Sequence, residues 1–404
     1  MRVFVGHDWA ESHHDVFIED EGGLRLAATR LADGIEGVAR LHELLADLVE
    51  DPGEVIVATE TDRGLFVGAM VGAGYRVLAI NPMSVARYRE RLSTSGAKSD
   101  QGDARVLAEL ARTDGHNHRP VAGDSGLVEA VKVLARTHLS LIWSRQRHIN
   151  QLRSTLREFY PAALEAFEDL SSSDSLTVLG IAPTPQQGRR LSKTRIASAL
   201  RRGGRQRRID ERATEIHTAL RTEHLQAPAV VANAMGATVT ALVAITVELV
   251  TQIGRIETEL ANHFEQHPDA EIIRSLPGLG MILGARVLAE FGDDPNRFDS
   301  PKSRKNYAGT SPITRASGKQ RIVLARYARN QRLANTTHLW AFATLTASPG
   351  ARRYYDQRRA GGDTHNKALR ALANRLTGIL HGCLTTRTPY DEHKAWAHRQ
   401  TAAA

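Results

Sequence analysis

The sequence predicts an α/β domain at the N-terminus, then long helices, then a mostly α-helical C-terminal domain. Short apolar runs alternate with helix-spaced apolar residues over the first hundred residues, and the later stretches 126–160 and 230–264 keep helical spacing throughout. An apolar fraction of 42% and a charged fraction of 24% are ordinary for a folded protein. At 404 residues the chain is long enough for two or three domains, which we place at 1–122, 123–268 and 269–404.

Seven elements are predicted in the first eighty residues, in the order three strands, helix, strand, helix, strand. The strands lie at 3–5, 16–18, 24–27, 54–59 and 75–80, and the pair Gly22-Gly23 bends the chain before the third. The first helix begins at 37 and repeats leucine on one face, and the second spans 64–73. This order is that of an RNase H-like, or RuvC-like, fold, in which the first strand is central and the fourth pairs beside it.

Four carboxylates stand at the ends of these elements. Asp8 and Glu60 close the first and fourth strands, and Asp100 and Asp103 begin a helical pattern that runs to 112. Residues three apart on a helix are neighbours, so the last two share a face. Hard cations take oxygen ligands, and two Mg²⁺ ions can clamp a phosphodiester. Each carboxylate taken singly is also explained by capping a turn or helix, but the four together predict a two-Mg²⁺ site for phosphoryl transfer on nucleic acid.

Charge is unevenly distributed along the chain. Residues 1–80 hold 6 basic and 15 acidic side chains, whereas 185–225 hold 11 and 4, and 300–335 hold 9 and none. An acidic first domain with basic later segments suits metal binding in one place and binding of the phosphate backbone elsewhere. In the basic segment around Gly203-Gly204 we predict nucleic-acid contacts at Arg205, Arg207 and Arg208.

Cysteine content and hydropathy bound the class of protein. Cys383 is the only cysteine, which excludes an intrachain disulfide and a thiolate metal cluster. His7, Asp8 and Glu11 follow the N-terminus too closely for a signal peptide. Charges are expected to interrupt the apolar stretches before they reach the length of a membrane span. We therefore expect a soluble, cytoplasmic protein with no membrane partner.

The two long helical patterns have two interpretations. In the second, Leu242, Ile245 and Leu249 are spaced by three or four residues, as in a helix that packs along one side. Such a pair suggests an antiparallel coiled-coil arm or a dimerisation element. Packing inside the core of one domain explains the same spacing equally well.

The last third of the chain carries two further patterns. Residues 273–292 resemble a helix-hairpin-helix, whose turn at Gly278 and Gly280 presents backbone amides to a DNA phosphate, although glycine-rich turns also serve packing. Ser317 follows in a loop rich in cations, and a serine attacks phosphorus when its proton is removed and the developing charge is stabilised. On residue type alone, capping a turn or touching a phosphate is the better explanation of Ser317. The cations around it are candidate nucleic-acid contacts: Arg304, Lys305, Arg315, Lys319 and Arg321.

The motifs in combination resemble a known family. The order GHDWA, ATETDRG, KSDQGDA, RSLPGLG and YAGTSPITRASGKQR, with the tail HNKALRALANRLTGILHGCL before Tyr390, is similar to the DEDD transposases of the insertion-sequence 110 family over nearly the whole length. The resemblance implies a bacterial, nucleoid-associated DNA recombinase that excises and inserts its element under the guidance of a bridge RNA. It also implies that Ser317 is the catalytic serine. The implied catalytic tetrad is Asp8, Glu60, Asp100 and Asp103.

The resemblance further implies dimers that pair into a tetramer, with the tetrad of one chain and the serine of another forming one site. The sequence departs from the family at 165–230, which is longer, more polar and richer in arginine than the family's usual linker. We expect Ser317 to form a protein–DNA ester, with Arg315, Lys319 and Arg321 as charge stabilisers. Two rivals stay open: a hydrolytic nuclease of the Holliday-junction-resolvase type, and a nucleic-acid-binding repressor or scaffold with a degenerate site.

Overall fold

A computed structural model describes residues 1–92, 99–118, 120–121, 123–318, 320–327 and 329–397. These residues form two compact units. The first contains Met1–Ser125 with Asp294–Arg297, and the second contains Gly126–Asp293 with Phe298–Ala404. The three domain limits expected from the sequence stay predictions, because a compact unit in space need not be a domain that folds alone.

The first unit is built on a five-stranded mixed sheet. Its strands are β1 Val3–Trp9, β2 His13–Glu19, β3 Arg25–Ala32, β4 Val55–Thr59 and β5 Arg76–Ala79. They lie in the order β3-β2-β1-β4-β5, with β2 antiparallel to β1 and β3, and β4 parallel to β1 and β5. The prediction that the first strand is central and the fourth lies beside it is confirmed. This topology is consistent with an RNase H-like domain.

Helices cover both faces of the sheet. They are α1 Ile35–Ala46, α2 Leu65–Gly72, α3 Pro82–Leu92 and α4 Asp100–Asp114. Val3 and Val5 of β1 share a core with Leu41 of α1 and Met70 of α2. The intervening residue Phe4 belongs to a second core with residues of α3 and α4. Side chains alternate along a strand, so the sheet separates two cores, and the side packed by α4 is called the α4 face below.

A segment distant in sequence completes the first unit. Arg297 donates from Nη1 to Oδ2 of Asp124 at 2.9 Å, and the Asp124 side chain is only 1% exposed. A buried carboxylate requires such a partner, because removing a charge from water costs several kcal/mol or more. This ion pair explains why Asp294–Arg297 belongs with the N-terminal residues.

Gly6 sets how closely α4 approaches β1. A Cβ at Gly6 would lie 1.7 Å from the carbonyl oxygen of Ala104 and 2.6 Å from the backbone nitrogen of Ala108. Because the obstacles are helix backbone, Gly6→Ala must push α4 away from the sheet. We expect it to lower the free energy of unfolding of the first unit by about 3 kcal/mol, as an overpacked core does. Denaturant titration of the full chain measures this loss.

Gly68 in α2 provides the matched control. A Cβ there would meet nothing within 4 Å, and the residue is exposed in the helix. Gly68→Ala should leave stability unchanged or raise it by up to about 1 kcal/mol, since alanine is the better helix former. Equal midpoints for the two variants would contradict the close contact between α4 and β1.

Two long helices dominate the second unit, as the spacing predicts. α5 spans Gly126–Phe159, five shorter helices follow it, and α11 spans Ala229–Glu265. Val128 shares a core with Phe264 at one end of the pair, and Leu152 shares another with Leu242 at the opposite end. The helices are therefore antiparallel, and each end of the pair is enclosed in a globular core.

One of these helices corrects the expectation about membrane spans. α11 is long and apolar enough to cross a membrane by length and composition, and 28% of its most apolar stretch is buried. No charged residue occurs from 229 to 247, so the expectation that charges interrupt every apolar stretch was wrong. Core helices and membrane spans share this composition, and α11 buries residues in both cores that it shares with α5.

The segment expected to be a polar linker is a folded helical cap. Its helices are α6 Pro161–Ala166, α7 Ser173–Ile181, α8 Pro185–Arg190, α9 Lys193–Arg202 and α10 Ile209–Ala219. Ile196 and Leu200 of α9 are fully buried with Phe167, whereas Arg195 and Arg201 on the same helix are exposed. The arginines therefore cover the outside of a small apolar core.

The opposite end of the long pair carries the remaining elements. They are α12 Ala270–Ser275, α13 Met281–Phe291, α14 Pro301–Tyr307, β6 Ile313–Ser317, β7 Gln320–Leu324, α15 Gln331–Ala347, α16 Pro349–Ala360, α17 His365–Thr386 and α18 Glu392–Trp396. Trp340, Phe291 and Leu372 lie in its core. The mostly helical C-terminal region is confirmed, but Ser317 ends a strand of a β-hairpin, where the sequence predicts a loop.

Candidate functional site

Carboxylates from three elements converge on the α4 face of the sheet. Gly6 abuts α4, and Asp8 lies two residues further along β1, hence on the same face. Asp15 of β2 is the cross-strand partner of Asp8, and such partners share a face. α4 begins at this end of the sheet, since Asp100 approaches Arg30, the cross-strand partner of Asp15.

Glu60 follows β4 directly. The last pair in the parallel register of β1 and β4 is His7 with Thr59, so Asp8 and Glu60 occupy the next positions along. His7 and Thr59 bond to each other on the opposite face, and β4 ends at Thr59, so Glu60 is the first residue after the strand. The two strands thus end side by side, as the sequence predicts.

The two carboxylates of α4 differ in surroundings. Ser99 caps the helix, its Oγ accepting from the nitrogen of Gly102 at 3.1 Å. The Asp100 side chain is 57% exposed, whereas Asp103 is buried and forms an ion pair with Arg89 of α3. The positive end of the helix dipole favours both charges in the first turn. Asp103 is therefore fixed by its partner, and Asp100 is accessible.

Sequence reasoning missed a buried carboxylate with its partners. Asp15 is 2% exposed and accepts two bonds from Arg30, at 3.1 Å from Nε and 2.8 Å from Nη2. His13 Nε2 lies 3.5 Å from Oδ2 of Asp15, and Arg30 Nη2 lies 3.8 Å from Oδ2 of Asp100. The sequence did contain a signal, which is an aspartate directly before the apolar residues of a predicted strand. Such a carboxylate is buried only when it has a partner, so this position predicts an ion pair.

Three side chains of this cluster could together hold a divalent metal. Potential ligand atoms of His13, Asp15 and Asp100 all lie within 4.8 Å of one another, and within the described residues no other trio of histidine and acidic side chains does so. Of the four carboxylates predicted from the sequence, Asp100 alone belongs to this trio. Carboxylate oxygens suit Mg²⁺, and an imidazole nitrogen is a ligand that transition metals accept more readily.

Arg30 is the fixed cation of the cluster. The hydrogen bond to Asp15 raises the pKa of the Arg30 guanidinium, and the charges of Asp15 and Asp100 act in the same direction. The side chain is 53% exposed, so solvent screens part of this interaction. Arg30 offsets the negative charge that two neighbouring carboxylates would otherwise leave.

A chain of hydrogen bonds lies directly behind the carboxylates, on the opposite face. His7 Nδ1 is 3.1 Å from Thr59 Oγ1, and His7 Nε2 is 2.9 Å from Nδ1 of His14. His14 Nε2 is 3.0 Å from Asp33 Oδ1, which accepts, so His7 donates to His14 and accepts from Thr59. Burial lowers the pKa of His7 to about 3, so the ring is neutral. The chain ties β1 to β4 one residue before Asp8 and Glu60.

Ser317 stands in the second unit, at the exposed tip of the β6–β7 hairpin. It pairs with Gln320 across a turn in which Gly318 has a φ of +56°, a conformation that glycine adopts readily, and Lys319 lies outside the described residues. Arg315 is two residues before Ser317 and shares its face, whereas Arg321 pairs with Ala316 on the other face. Arg315 is therefore the described cation beside the serine.

The glycine turn of the helix-hairpin-helix-like segment packs against α15. Gly278 has a φ of +79°, and a Cβ there would lie 2.8 Å from the backbone nitrogen of Thr344. The carbonyl oxygen of Pro277 accepts from Trp340 Nε1 and Thr344 Oγ1, each at 2.9 Å. Packing thus accounts for Gly278, while Gly280 is exposed at the start of α13 and stays a predicted phosphate contact.

Two other residues of the C-terminal region that were predicted to contact nucleic acid, Arg304 and Lys305, are at least partly buried. Arg304 is 9% exposed, with its guanidinium 5.1 and 4.9 Å from the ring centres of Phe291 and Phe298, so it serves packing and leaves little surface for a nucleic acid. Burial lowers the pKa of Lys305, and the charge of Arg375 adds to this effect.

The predicted contacts of the helical cap separate by partner. Arg205 pairs with Asp174 at 2.9 Å, and Arg208 pairs with Glu211. Arg207, between them, is exposed. Arg207 is therefore the best placed of the three predicted arginines to meet a phosphate.

Comparison with known proteins identifies the family. A family model for DEDD transposases of the IS110 type, described as "Transposase", matches residues 5–161, and a model described as "Transposase IS116/IS110/IS902 family" matches residues 270–356. The "Mini-circle putative transposase for IS117" of Streptomyces coelicolor is 44% identical over 100% of this chain and 99% of its own length. The "Insertion element IS900 uncharacterized 42 kDa protein" of Mycobacterium paratuberculosis is 32% identical over 96% and 97%. The chain therefore belongs to the IS110 family of DEDD transposases.

Proposed function

We propose that this transposase cuts and rejoins the DNA of an insertion sequence through a metal-binding carboxylate site and a serine nucleophile. The proposal is supported by the backbone positions of three acidic residues at one end of the sheet: Asp8 in β1, Glu60 directly after β4 and Asp100 at the start of α4. Family membership supplies DNA as the substrate. Ser317 is the proposed nucleophile, and its exposed position at the tip of the β6–β7 hairpin makes it accessible to DNA.

Mg²⁺, two ions per site, is the proposed cofactor. The ligands expected from the sequence are Asp8, Glu60, Asp100 and Asp103, and the geometry adds Asp15 with His13. When bound, such ions neutralise charge on a phosphate and make a hydroxyl more acidic. Arg30 and Arg89 hold Asp15 and Asp103 in place, so the carboxylates are oriented before any ligand arrives.

Ser317 performs the proposed covalent step. Its Oγ attacks the scissile phosphorus, loses its proton to solvent or a basic ligand, and forms an Oγ–P bond as the bond to one deoxyribose oxygen breaks. The leaving oxygen takes up a proton, and the phosphoester energy stays in the protein–DNA ester. Attack by the hydroxyl of a new DNA end reverses the step and frees the serine. Arg315 on the same face stabilises the extra negative charge, and Lys319 is proposed to assist.

A bridge RNA and an assembly of dimers into a tetramer complete the proposal. Exposed arginines on the helical cap, Arg195 and Arg201 of α9 with Arg207, supply positive charge for a phosphate backbone. Sequence choice then comes from base pairing, as in other RNA-guided systems, while the protein reads backbone shape. The tetrad and the serine are proposed to meet between chains.

A product assay tests the proposed function. Full-length protein is incubated with labelled DNA of the element ends and target, Mg²⁺, and RNA transcribed from the noncoding sequence beside the gene. We expect joined DNA and a protein–DNA adduct, both lost when Mg²⁺ or the RNA is omitted. Cut ends without joining or adduct would instead identify a hydrolytic nuclease. No cleavage with any divalent metal would identify a binding protein.

A further inference from the structure

An electropositive cavity lies at the root of the β6–β7 hairpin, within the second unit. Its volume is about 320 Å³, and it is bordered by the chain before β6, the chain after β7 and the N-terminal parts of α15 and α17. Arg329 and Arg370 line it, and no aspartate or glutamate lines it among the described residues. Two cations without a counter-charge make the cavity suited to an anion.

The walls hold a polar group that lacks a partner. The stem of Arg329 lies against Gly309, which has a φ of +70° and where a Cβ would be 2.3 Å from Arg329 Cδ. Nε of Arg329 is buried without a hydrogen-bond partner among the described residues. Because buried donors are normally paired, this N–H indicates a ligand that accepts a hydrogen bond in the cavity.

The helix ends at the cavity add to its positive potential. α15 and α17 contribute Asn335 and Asn366 from near their N-termini, where backbone N–H groups and the helix dipole favour negative charge. The N-cap of α17, Thr364, forms no side-chain bond to the helix. The two arginines, the helix ends and the unpaired N–H of Arg329 therefore all favour an anionic ligand.

We propose that this cavity binds a backbone phosphate of the DNA strand that Ser317 attacks, a few nucleotides from the scissile phosphate. The four residue steps from Ile313 to Ser317 span roughly 13 Å at the usual rise of a strand. A DNA strand that is bound by its phosphate at the root of the hairpin is oriented toward Ser317 at the tip of the hairpin. This orientation lowers the entropy cost of the attack. This assignment rests on the proposed function, because it takes DNA as the substrate of Ser317.

Neutral linkages test the assignment directly. The affinity of the full chain for labelled DNA of the element end is measured in a buffer that contains a chelator. In each DNA one phosphate is replaced by an uncharged methylphosphonate. For the wild type, one position a few nucleotides from the cleavage site should lower affinity roughly tenfold to a hundredfold, as loss of a charged hydrogen bond does. Arg370→Ala should lower affinity for unmodified DNA by a similar factor and abolish the response at that position.

Arg352→Ala is the matched control, since Arg352 is exposed on α16 and pairs with Asp356 at 2.9 Å. It should keep both the affinity and the response. If Arg370→Ala lowers the melting temperature, Arg370→Gln carries the test. The proposal is overturned if the Arg370 variant keeps both the affinity and the response to the neutral linkage. It is also overturned if neutral linkages lower the affinity when they are placed in the RNA and not when they are placed in the DNA. The binding assay requires no cleavage. A retained linkage response with no strand exchange would therefore refute the proposed function and still leave a DNA phosphate bound in this cavity.

Discussion

Ser317→Ala is expected to abolish the protein–DNA adduct and to lower strand exchange by on the order of 10⁴-fold or more, the scale of a lost nucleophile. The alanine lacks the oxygen that attacks phosphorus, and the remaining groups cannot replace it. The residue is exposed at a hairpin tip, so the substitution leaves the fold intact. Denaturing electrophoresis of reactions with labelled DNA measures the adduct, and product sizes measure the exchange.

Variants of the same hairpin separate a chemical role from a structural one. Thr314 is exposed on the face opposite Ser317, so Thr314→Ala should retain both products. Arg315→Ala, on the serine's face, should slow adduct formation more than Arg321→Ala does, since Arg321 points to the other face. An alanine variant of Ser317 that rejoins DNA at the parent rate would refute the serine mechanism.

Asp8→Asn is expected to lower strand cleavage by on the order of 10³-fold while the protein stays folded, because the amide keeps the shape of the side chain and loses the charge that holds a cation. Metal binding gives an independent measure. A ligand that binds the folded state raises its stability, so Mn²⁺ should raise the melting temperature of the wild type and have little effect on the variant. Asp47→Asn, at an exposed position after α1, is the control and should behave as the wild type.

Asp15→Asn determines which carboxylates bind the metal. If Asp15 is a ligand with His13 and Asp100, the variant should lose the Mn²⁺ effect as Asp8→Asn does. If Asp15 only holds Arg30, the Mn²⁺ effect should persist, and the metal set would be the one predicted from sequence. The same melting experiment therefore ranks the two sets without an activity assay.

The local sequence pattern predicted the strands and helices of the first unit. The residues that it missed, Asp15 and Arg30, reach the site through the pairing between strands. Apolar patterning predicted the order of elements along the chain. The RNase H-like fold that this order matches then predicted the strand order, with Asp8 and Glu60 at adjacent strand ends. The position of Asp15 depends on the register between β1 and β2, which no local signal specifies. Arg30 was missed for the same reason, since it reaches Asp15 only through the register of β2 with β3.

In the second unit, the sequence analysis missed features whose amino-acid composition hid the spacing of apolar residues or whose contacts lie far along the chain. In α9 the arginines obscured Ile196 and Leu200, which are four residues apart and buried. The packing of Gly278 depends on Thr344, far along the chain, so the glycine turn alone could not reveal it. The hairpin of Ser317 offers exposed, mixed side chains, and exposed strands lack the alternation that identifies a half-buried one.

The ion pair between Arg297 and Asp124 constrains how the protein is made. Synthesis of residues 126–297 takes roughly 10 to 30 s at about 5–20 residues per second, and during that time Asp124 lacks its guanidinium partner. Most of the chain must leave the ribosome before the first unit can close. A fragment that stops at Ser125 lacks Arg297, so a first unit separated for biochemical work should extend to Arg297 or receive that segment as a peptide.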